Sequence, residues 1–460
     1  MPDKLPCFKA YDIRGRVPSE LNLELARQIG LAFAAEFSPE TVCVGHDMRL
    51  SSRDMALVLM NGLEDGGANV VDLGLCGTEE VYHATFSQGF GGGIMITASH
   101  NPKDWNGMKL VRKDAVPVSG DSGLFAIHDR ILCGNLPVAV TRGRTRQASF
   151  RSEYAALLLS LLSPDQNRRG AENLKPLRIV ANAGNGCAWP VMEALIPRLP
   201  GHFIPLHPEP DGAFPNGVPN PLLPENRAET SRAVLEHGAD LGIAWDGDFD
   251  RCFFFDETGA FIESYYLVGL LAQHLLAARH GKHLGSAIIH DTRLTWNTRE
   301  LVEAAGGIPL ENKTGHAFMK ERMRRENALY GGEMSAHHYF RDFGYCDTGM
   351  LVWLLVWQIM SQTDQPLSAL VGEHMRRFPV SGEINRSVRD AGAVMALAES
   401  RYAKDALTVN HIDGLSMDLG DWRFNLRSSN TEPLLRLNVE SRGDRALMEQ
   451  KRDELLALMI

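Results

Sequence analysis

The feature of this sequence that most constrains its fold is an alternation of strand-like and helix-like segments that begins afresh three times. Each time, a short apolar segment precedes an amphipathic helical one, and the first strand-like segments are 42–45, 177–181 and 287–290. Such alternation predicts layered α/β domains, because strands bury their apolar faces against helices. A smaller segment with two strand-like stretches and a closing helix ends the chain. We therefore predict four domains, at 1–145, 146–254, 255–368 and 369–460.

Three local patterns give sharper expectations. Residues 140–153 lose apolar periodicity and are predicted to be a linker between the first two domains. The run Ser51-Ser52-Arg53-Asp54 resembles a capping box that opens a helix. Residues 350–360 form the longest apolar run, but they are too few to cross a bilayer, so we predict a buried helix.

Composition narrows the class of protein. A chain of 460 residues exceeds the size of one hydrophobic core. Its formal net charge of −10 argues against general binding to nucleic acid or to anionic membranes. The seven cysteines are dispersed without a CxxC pair, which is typical of reduced thiols. With no signal-peptide pattern in the first fifteen residues, we expect a cytoplasmic protein.

A glycine-rich stretch, 91–109, presents a serine on a loop. Its sequence is GGGIMITASHNPKDWNGMK, in which Asn-Pro and Asn-Gly are strong turn signals. Ser99 follows a buried strand-like segment, with His100 beside it and Lys109 soon after. This arrangement has the groups of a nucleophile or a phosphate carrier, although a Ser-His pair by itself favours the alternative. The alternative is a turn serine that bonds to its own backbone.

Three alternating carboxylates, Asp246, Asp248 and Asp250, lie on one short predicted loop. An all-oxygen ligand set suits Mg²⁺ or Ca²⁺, and few protein ligands favour Mg²⁺. An EF-hand-type loop is one alternative, since Glu257 occupies its twelfth position, but Arg251 stands where that loop needs glycine. A solvated acidic turn is the other alternative.

Two further polar clusters lie nearer the C-terminus. Arg427 begins a loop that continues with Ser428, Ser429, Asn430 and Thr431, and its donors are those of a phosphate clamp. Glu333, Ser335 and His337 follow a glycine pair, with His316 on an earlier loop, and such side chains typically contact sugar hydroxyls. A metal site of His and Glu is the alternative there, although no HExxH spacing occurs.

Together, these motifs resemble the bacterial phosphomannomutase/phosphoglucomutase branch of the α-D-phosphohexomutase superfamily. The motifs are AYDIRG (10–15), TASHNP (97–102), NGMK (106–109), DGDFDR (246–251), KTGHAF (313–318), GEMSAHH (332–338) and RSSNTEP (427–433). They follow the family's order along the whole chain. The resemblance implies three similar α/β layered domains with mixed sheets and a smaller α+β C-terminal domain, arranged around a central cleft.

The resemblance also implies roles for individual residues. Ser99 would carry phosphate and, with Asp246, Asp248 and Asp250, would hold one Mg²⁺. The implied catalytic residues are Ser99, His100, Lys109, Arg14, Arg251 and His337. The implied substrate contacts are Tyr11, Arg293, His316, Glu333, Ser335, Arg427, Ser429, Asn430 and Thr431. Two positions depart from the family, because Arg293 stands where a lysine is frequent and Ala336 where glycine is.

The implied reaction interconverts mannose 6-phosphate and mannose 1-phosphate, and also the glucose phosphates, through a phosphoserine and a hexose 1,6-bisphosphate. That bisphosphate would also be the activator. For Lys109 to act as a base, its pKa would need to be lowered by burial and nearby positive charge. A metal-dependent glycosyltransferase and a Ca²⁺-stabilised binding module are the rival classes. We expect small sugar phosphates as partners, and a monomer is compatible with the sequence.

Overall fold

A computed structural model describes residues 5–162, 170–277, 283–428 and 434–459. These residues form two compact units, one of Met1–Phe261 with Tyr339–Asp364 and one of Ile262–His338 with Gln365–Ile460. Within the described ranges, no helix combines the length and the apolar character needed to cross a membrane.

The first sheet lies in the first unit and is mixed. Its strands are β1 (Ile13–Arg16), β2 (Thr41–His46), β3 (Asn69–Leu75), β4 (Gly92–Ile96), β5 (Trp105–Arg112), β6 (Val116–Pro117) and β7 (Thr145–Gln147). The order is β1-β5-β4-β2-β3-β7, with β6 on β5. Helices α1 (Leu23–Phe37), α2 (Ser52–Asp65), α3 (Thr78–Ser87) and α4 (Leu124–Leu132) accompany it. The apolar faces of α1, α2 and α4 share one core cluster with β2, β4 and β5, as a layered α/β domain requires.

A second sheet follows in the same unit. It contains β8 (Arg178–Asn182), β9 (His202–Leu206), β10 (Leu241–Trp245), β11 (Cys252–Phe255) and β12 (Phe261–Ile262), in the order β12-β11-β10-β8-β9. Its helices are α5 (Arg151–Leu161), α6 (Trp189–Leu195) and α7 (Ala228–His237). Strands β8, β9 and β10 run parallel, while β11 turns back antiparallel to β10. That hairpin carries the acidic loop at its tip.

The second unit opens with α8 (Ser264–Ala277) and three parallel strands, β13 (Ala287–Asp291), β14 (Ile308–Asn312) and β15 (Tyr330–Gly332). Helices α9 (Trp296–Ala304) and α10 (His316–Glu326) connect them. The chain then supplies β16 (His338–Phe340), β17 (Cys346–Asp347) and α11 (Gly349–Thr363), and it returns to the second unit with α12 (Leu367–Arg377).

The C-terminal sheet is antiparallel. Its strands are β18 (Ile384–Ser387), β19 (Thr408–Asn410), β20 (Leu415–Asp418), β21 (Trp422–Ser428) and β22 (Leu434–Ser441), in the order β18-β22-β21-β20-β19. Helices α13 (Ala391–Tyr402) and α14 (Arg445–Leu456) cover it with a core of their own. Three layered α/β domains and a smaller α+β domain were predicted, and this fold class is confirmed.

Two local predictions were wrong. Within the predicted linker, β7 pairs in parallel with β3, and α5 begins at Arg151. All three residues of β7 are exposed, so this edge strand has no apolar alternation to reveal it. Ser51 is the N-cap of α2 but makes no side-chain cap. Its hydroxyl accepts a hydrogen bond from Asn106 Nδ2 at 2.8 Å instead, so a tertiary contact replaces the capping box.

The predicted buried helix is confirmed in α11, most of whose residues are enclosed within the first unit. Its N-terminus is capped from the first domain, since a Glu79 carboxylate oxygen accepts hydrogen bonds from Gly349 N at 2.6 Å and Met350 N at 3.2 Å. Further along, Trp357 Nε1 donates to Lys175 O at 2.8 Å. The helix therefore joins the first two domains from inside.

Candidate active site

Ser99 lies just beyond β4, on a tight and buried loop. The Thr97 hydroxyl accepts a hydrogen bond from Ser99 N at 2.8 Å, and Ser99 adopts a φ of 51°. This left-handed backbone is uncommon for a residue with a Cβ and marks a position held by its surroundings. The acidic loop approaches closely, because a Cβ on Gly247 would lie 2.7 Å from Ser99 O. Glycine at 247 thus permits the two loops to meet.

Arg49 holds this loop from behind. Its guanidinium donates hydrogen bonds to four carbonyl oxygens, those of Ser99 at 2.9 Å, Asn101 at 2.6 Å and Pro102 at 2.7 Å in the loop and that of Trp105, the first residue of β5, at 3.0 Å. Asp47 faces Arg49 Nε at 3.4 Å, and both side chains are buried. One arginine therefore satisfies much of the backbone of the Ser99 loop.

The acidic loop connects β10 to β11, which pair antiparallel with Trp245 opposite Cys252. Strands on both sides exclude the helix–loop–helix of an EF-hand, so that alternative was wrong. Asp248 Oδ2 accepts hydrogen bonds from Thr78 Oγ1 at 2.5 Å and from Lys109 Nζ at 2.6 Å. Lys109 also donates to Asp250 Oδ2. These contacts join the acidic loop to the Ser99 domain.

The Ser99 hydroxyl lies within this charged cluster. Its Oγ donates to Asp246 Oδ2 at 2.5 Å and accepts from Arg251 Nη2 at 3.2 Å. His100 Nδ1 is 2.9 Å from the same Oγ and also contacts Arg251 Nη2. Arg251 in turn donates to Asp246 Oδ2 at 2.7 Å. Ser99, His100, Arg251 and the aspartates, predicted from separate stretches of sequence, are thus brought together, and a turn serine bonded only to its own backbone is excluded.

The protonation of the cluster follows from burial and mutual charge. Burial raises the pKa of Asp246, and the neighbouring carboxylates add to it despite the opposing effect of Arg251. Burial and Asp250 raise the pKa of Asp248, but Lys109 and Thr78 outweigh them and lower it. Burial alone lowers the pKa of Lys109, yet its ion pairs with Asp248 and Asp250 leave it raised. A base role for Lys109 would need a lowered pKa, whereas the carboxylates next to Lys109 act in the opposite direction.

The acidic loop fits a divalent cation. Asp246, Asp248 and Asp250 are buried, and one carboxylate oxygen of each lies within 4.8 Å of the others. Asp248 Oδ1 has no hydrogen-bond partner among the described residues. Three carboxylates against Lys109 and Arg251 carry a formal charge of −1, and a buried excess charge is costly. The all-oxygen donor set suits Mg²⁺.

Arg14, on the first strand, contacts the Ser99 loop, and Tyr11 lies just before that strand. Arg14 Nη1 donates to Asn101 Oδ1 at 2.7 Å, and its Nε pairs with Asp12 at 2.7 Å. Tyr11 is half-buried two residues before β1. Strand β1 pairs with β5 so that Arg14 is opposite Gly107, two residues from Lys109. The AYDIRG and NGMK motifs are therefore neighbours in one sheet.

In the second unit, the GEMSAHH motif follows β15. Glu333 is buried and accepts a hydrogen bond from Gly315 N at 2.9 Å, which connects it to the loop that precedes His316. The Ser335 hydroxyl is 3.1 Å from His337 Nδ1. Glu333, Ser335, His337 and the His316 loop are thus part of one polar region, as predicted.

Ala336 explains one departure from the family pattern. Its φ is 71°, in the left-handed region, and its side chain is buried. Glycine adopts this backbone without steric cost, whereas a Cβ costs roughly 1–2 kcal/mol. Glycine, which the resemblance leads us to expect at this position, would adopt the same backbone without that cost.

Arg293 and Arg427 converge on one carboxylate. Glu383 Oε2 is 3.1 Å from Arg427 Nη2 and 3.2 Å from Arg293 Nη1, while Oε1 is 3.1 Å from Arg436 Nη1. Burial raises the pKa of Glu383, but the three arginines outweigh it and lower it to about 2. Asp291 also pairs with Arg293 Nη2 at 2.6 Å. Three other predicted clamp residues, Ser429, Asn430 and Thr431, lie outside the described residues.

A residue-level repeat escaped the sequence analysis. Both copies span the end of a strand, His46-Asp47-Met48-Arg49 at β2 and His290-Asp291-Thr292-Arg293 at β13. In both, the histidine Nδ1 is 2.9 Å from the aspartate carbonyl oxygen. In both, the aspartate Oδ1 accepts from the arginine N, at 2.9 and 3.0 Å. The shared H-D-x-R pattern was the signal that could have singled out Asp47 and Arg49.

Comparison with known families gives the class of the chain. Models described as phosphoglucomutase/phosphomannomutase alpha/beta/alpha domains I, II and III match residues 6–132, 154–259 and 263–378. The C-terminal domain model of the same family matches residues 383–458. The chain therefore belongs to the phosphoglucomutase/phosphomannomutase family, which confirms the resemblance.

Individual relatives are similar over their whole length. The chain is 56% identical to a phosphomannomutase of Salmonella typhimurium, with 99% of each protein covered. It is 55% identical to a protein of Xanthomonas campestris named phosphohexose mutases, again over 99% of each. A solved structure of a family protein from Burkholderia thailandensis has a TM-score of 0.87 at 30% identity, covering 100% of this chain and 97% of that one.

Proposed function

We propose that this chain is a phosphohexomutase that interconverts mannose 6-phosphate and mannose 1-phosphate and also converts the glucose phosphates. One observation carries the proposal: the Ser99 hydroxyl is buried within hydrogen-bond distance of both Asp246 and Arg251. A hydroxyl among carboxylates and a guanidinium suits phosphoryl transfer, which depends on positioning and on charge. Full-length similarity to proteins named phosphomannomutase and phosphohexose mutases supports the substrate class.

In the proposed cycle, Ser99 carries a phosphoryl group. The bond from Ser99 Oγ to phosphorus breaks while the free hydroxyl of a hexose monophosphate bonds to that phosphorus, giving a hexose 1,6-bisphosphate. The hydroxyl proton passes to an acid/base group, and Ser99 Oγ takes up a proton as it leaves phosphorus. Lys109 and His337 are the candidates for these transfers, and the raised pKa of Lys109 suits it to donate a proton. The bisphosphate then turns and returns its other phosphoryl group to Ser99 Oγ. Two steps are needed because the 1- and 6-oxygens lie at opposite ends of the sugar.

The first unit supplies the charge for these steps. Arg251, Lys109 and Arg14 would stabilise negative charge on the transferring group, and His100 would orient the Ser99 hydroxyl. Asp246, Asp248 and Asp250, with an oxygen of phosphorylated Ser99, would hold one Mg²⁺, which offsets phosphoryl charge when bound. Free hexose 1,6-bisphosphate would act as activator, since it can phosphorylate Ser99.

The second unit supplies recognition. Glu333 and Ser335 would bind hydroxyls that mannose and glucose share, with Arg293 and His316 nearby and Tyr11 of the first unit as a further contact. Arg427, with Ser429, Asn430 and Thr431, would hold the phosphate that is not reacting, through a guanidinium fork and neutral donors. We further propose a cytoplasmic enzyme whose partners are small sugar phosphates.

The test is a Ser99→Ala variant assayed beside Ser87→Ala, which removes an exposed serine of α3 as a matched control. Intact-mass measurement should show a phosphate on the wild type and on Ser87→Ala but not on Ser99→Ala. We expect Ser99→Ala to fold and to lose at least several hundred-fold in kcat, about 4 kcal/mol of barrier. Turnover like that of the wild type in Ser99→Ala would refute the mechanism.

Substrate choice is tested by kcat/KM for mannose 1-phosphate and glucose 1-phosphate, measured side by side. Recognition through shared hydroxyls predicts activity on both. A preference above about a thousandfold, roughly 4 kcal/mol, would mean that the 2-hydroxyl is read directly. If that preference favoured glucose, the chain would be mainly a phosphoglucomutase.

A further inference from the structure

The second unit contains an anion of its own beside Arg427, the arginine proposed to bind phosphate. Arg427 on β21 is directly opposite Arg436 on β22, and like charges placed so destabilise a sheet. Glu383, immediately before β18, reaches both guanidinium groups and also Arg293 from the loop after β13. The Glu383 side chain is only 10% exposed, so water screens these ion pairs weakly.

A carboxylate and a phosphate make the same demands on a guanidinium. Both are anions that accept forked N–H donors, and both form shorter and stronger hydrogen bonds than neutral acceptors do. Arg427 Nη2 and Arg293 Nη1 already donate to Glu383 Oε2, at 3.1 and 3.2 Å. A substrate phosphate that engages these donors therefore has to share them with Glu383 or displace it.

We propose that Glu383 competes with the substrate's non-reacting phosphate for the donors of Arg427 and Arg293, and so limits how tightly this enzyme holds phosphate. The inference rests on the proposed function, in which one phosphate of the bisphosphate must dissociate from its binding site before the molecule can turn. An arginine cluster without its own carboxylate would hold that phosphate longer. Glu383 thus lowers the affinity for the non-reacting phosphate and speeds its dissociation.

The experiment removes the Glu383 charge while keeping its shape. Glu383→Gln is combined with Ser99→Ala to prevent turnover, and binding of inorganic phosphate and of mannose 6-phosphate is measured by calorimetry at fixed ionic strength. We expect both Kd values to fall at least tenfold. Glu311→Gln is the matched control, because it removes one negative charge from the same unit at a side chain that accepts a hydrogen bond from Asn410. That control should change neither Kd by more than twofold.

A second readout uses Glu383→Gln with Ser99 intact. Less free hexose 1,6-bisphosphate should escape per turnover, and kcat should fall while KM falls with it. Should Glu383→Gln fail to fold, Glu383→Asp retains the charge on a side chain one methylene shorter, and phosphate binding should still tighten several-fold.

Unchanged or weaker phosphate binding by the variants would overturn the inference, since Glu383 would then only position the arginines. Failure of the proposed function looks different. In that case, the wild type would bind no mannose 6-phosphate, whereas the effect of Glu383→Gln on inorganic phosphate could still be measured.

Discussion

Arg49 offers the sharpest test of how the Ser99 loop is held. Arg49→Met keeps most of the buried volume but removes the hydrogen bonds to the carbonyl oxygens of residues 99, 101, 102 and 105. It also leaves the buried carboxylate of Asp47 without its cation, a change that typically costs about 3–5 kcal/mol. Each carbonyl left unsatisfied adds about 1–3 kcal/mol, so the loop will move toward water instead of keeping its place.

The expected result is local opening together with loss of activity. Hydrogen exchange followed by mass spectrometry should show opening of residues 97–107 easier by about 3 kcal/mol or more. A displacement of the Ser99 hydroxyl by about 1 Å should lower kcat roughly a hundredfold. Arg49→Lys keeps the positive charge but loses the forked guanidinium, so its loop opening and its kcat should lie between those of the wild type and those of Arg49→Met.

The control is Arg53→Met, an exposed arginine on α2, which should change stability by less than about 0.5 kcal/mol. If exchange of the loop and kcat in Arg49→Met both match the wild type, the reasoning about the loop is refuted.

Four further outcomes can be measured. Asp248→Asn removes a ligand charge and should weaken Mg²⁺ binding at least tenfold by titration calorimetry, without changing the circular dichroism. Arg427→Ala should raise KM at least tenfold for both sugar phosphates and release more free hexose 1,6-bisphosphate, with Ser99 still phosphorylated by mass. Ala336→Gly relieves a φ of 71° and should stabilise the second unit by about 0.5–1 kcal/mol in denaturant. Glu383 has its pKa lowered from 4.5 to about 2, so its charged form contributes about 3 kcal/mol to the free energy of unfolding above pH 4.5, and this contribution is lost as the pH falls toward 2. The free energy of unfolding of Glu383→Gln should therefore change less than that of the wild type across that pH range.

The sequence predicted those parts of the molecule in which the local residue pattern matches the packing or the chemistry of the folded chain. The strands β2 and β13 contain the predicted segments 42–45 and 287–290, because both are short and mostly apolar runs. Ser99 and the three aspartates were found because a hydroxyl on a turn suggests a phosphate carrier and alternating carboxylates on a turn suggest a cation site. The exposed strand β7 has no such pattern and was missed.

Tertiary partners account for the other differences. No local pattern shows that Lys109 faces Asp248 and Asp250, which lie far along the chain and raise its pKa. Arg49 and Glu383 also depend on neighbours distant in sequence. The H-D-x-R repeat was visible in the sequence, but the role of each copy depends on the groups that its arginine contacts in the folded chain.

The path of the chain through α11 has a consequence for synthesis. Residues 339–364 belong with residues 1–261, yet 77 residues of the other unit come between them in the chain. During synthesis, the carboxylate of Glu79 and the carbonyl of Lys175 therefore lack their hydrogen-bond donors until Gly349 and Trp357 have left the ribosome. Meanwhile the surface that α11 will cover stays open to solvent and to chaperones. A fragment cut at residue 261 would carry the complete serine and aspartate loops and still lack the helix that closes the core beneath them.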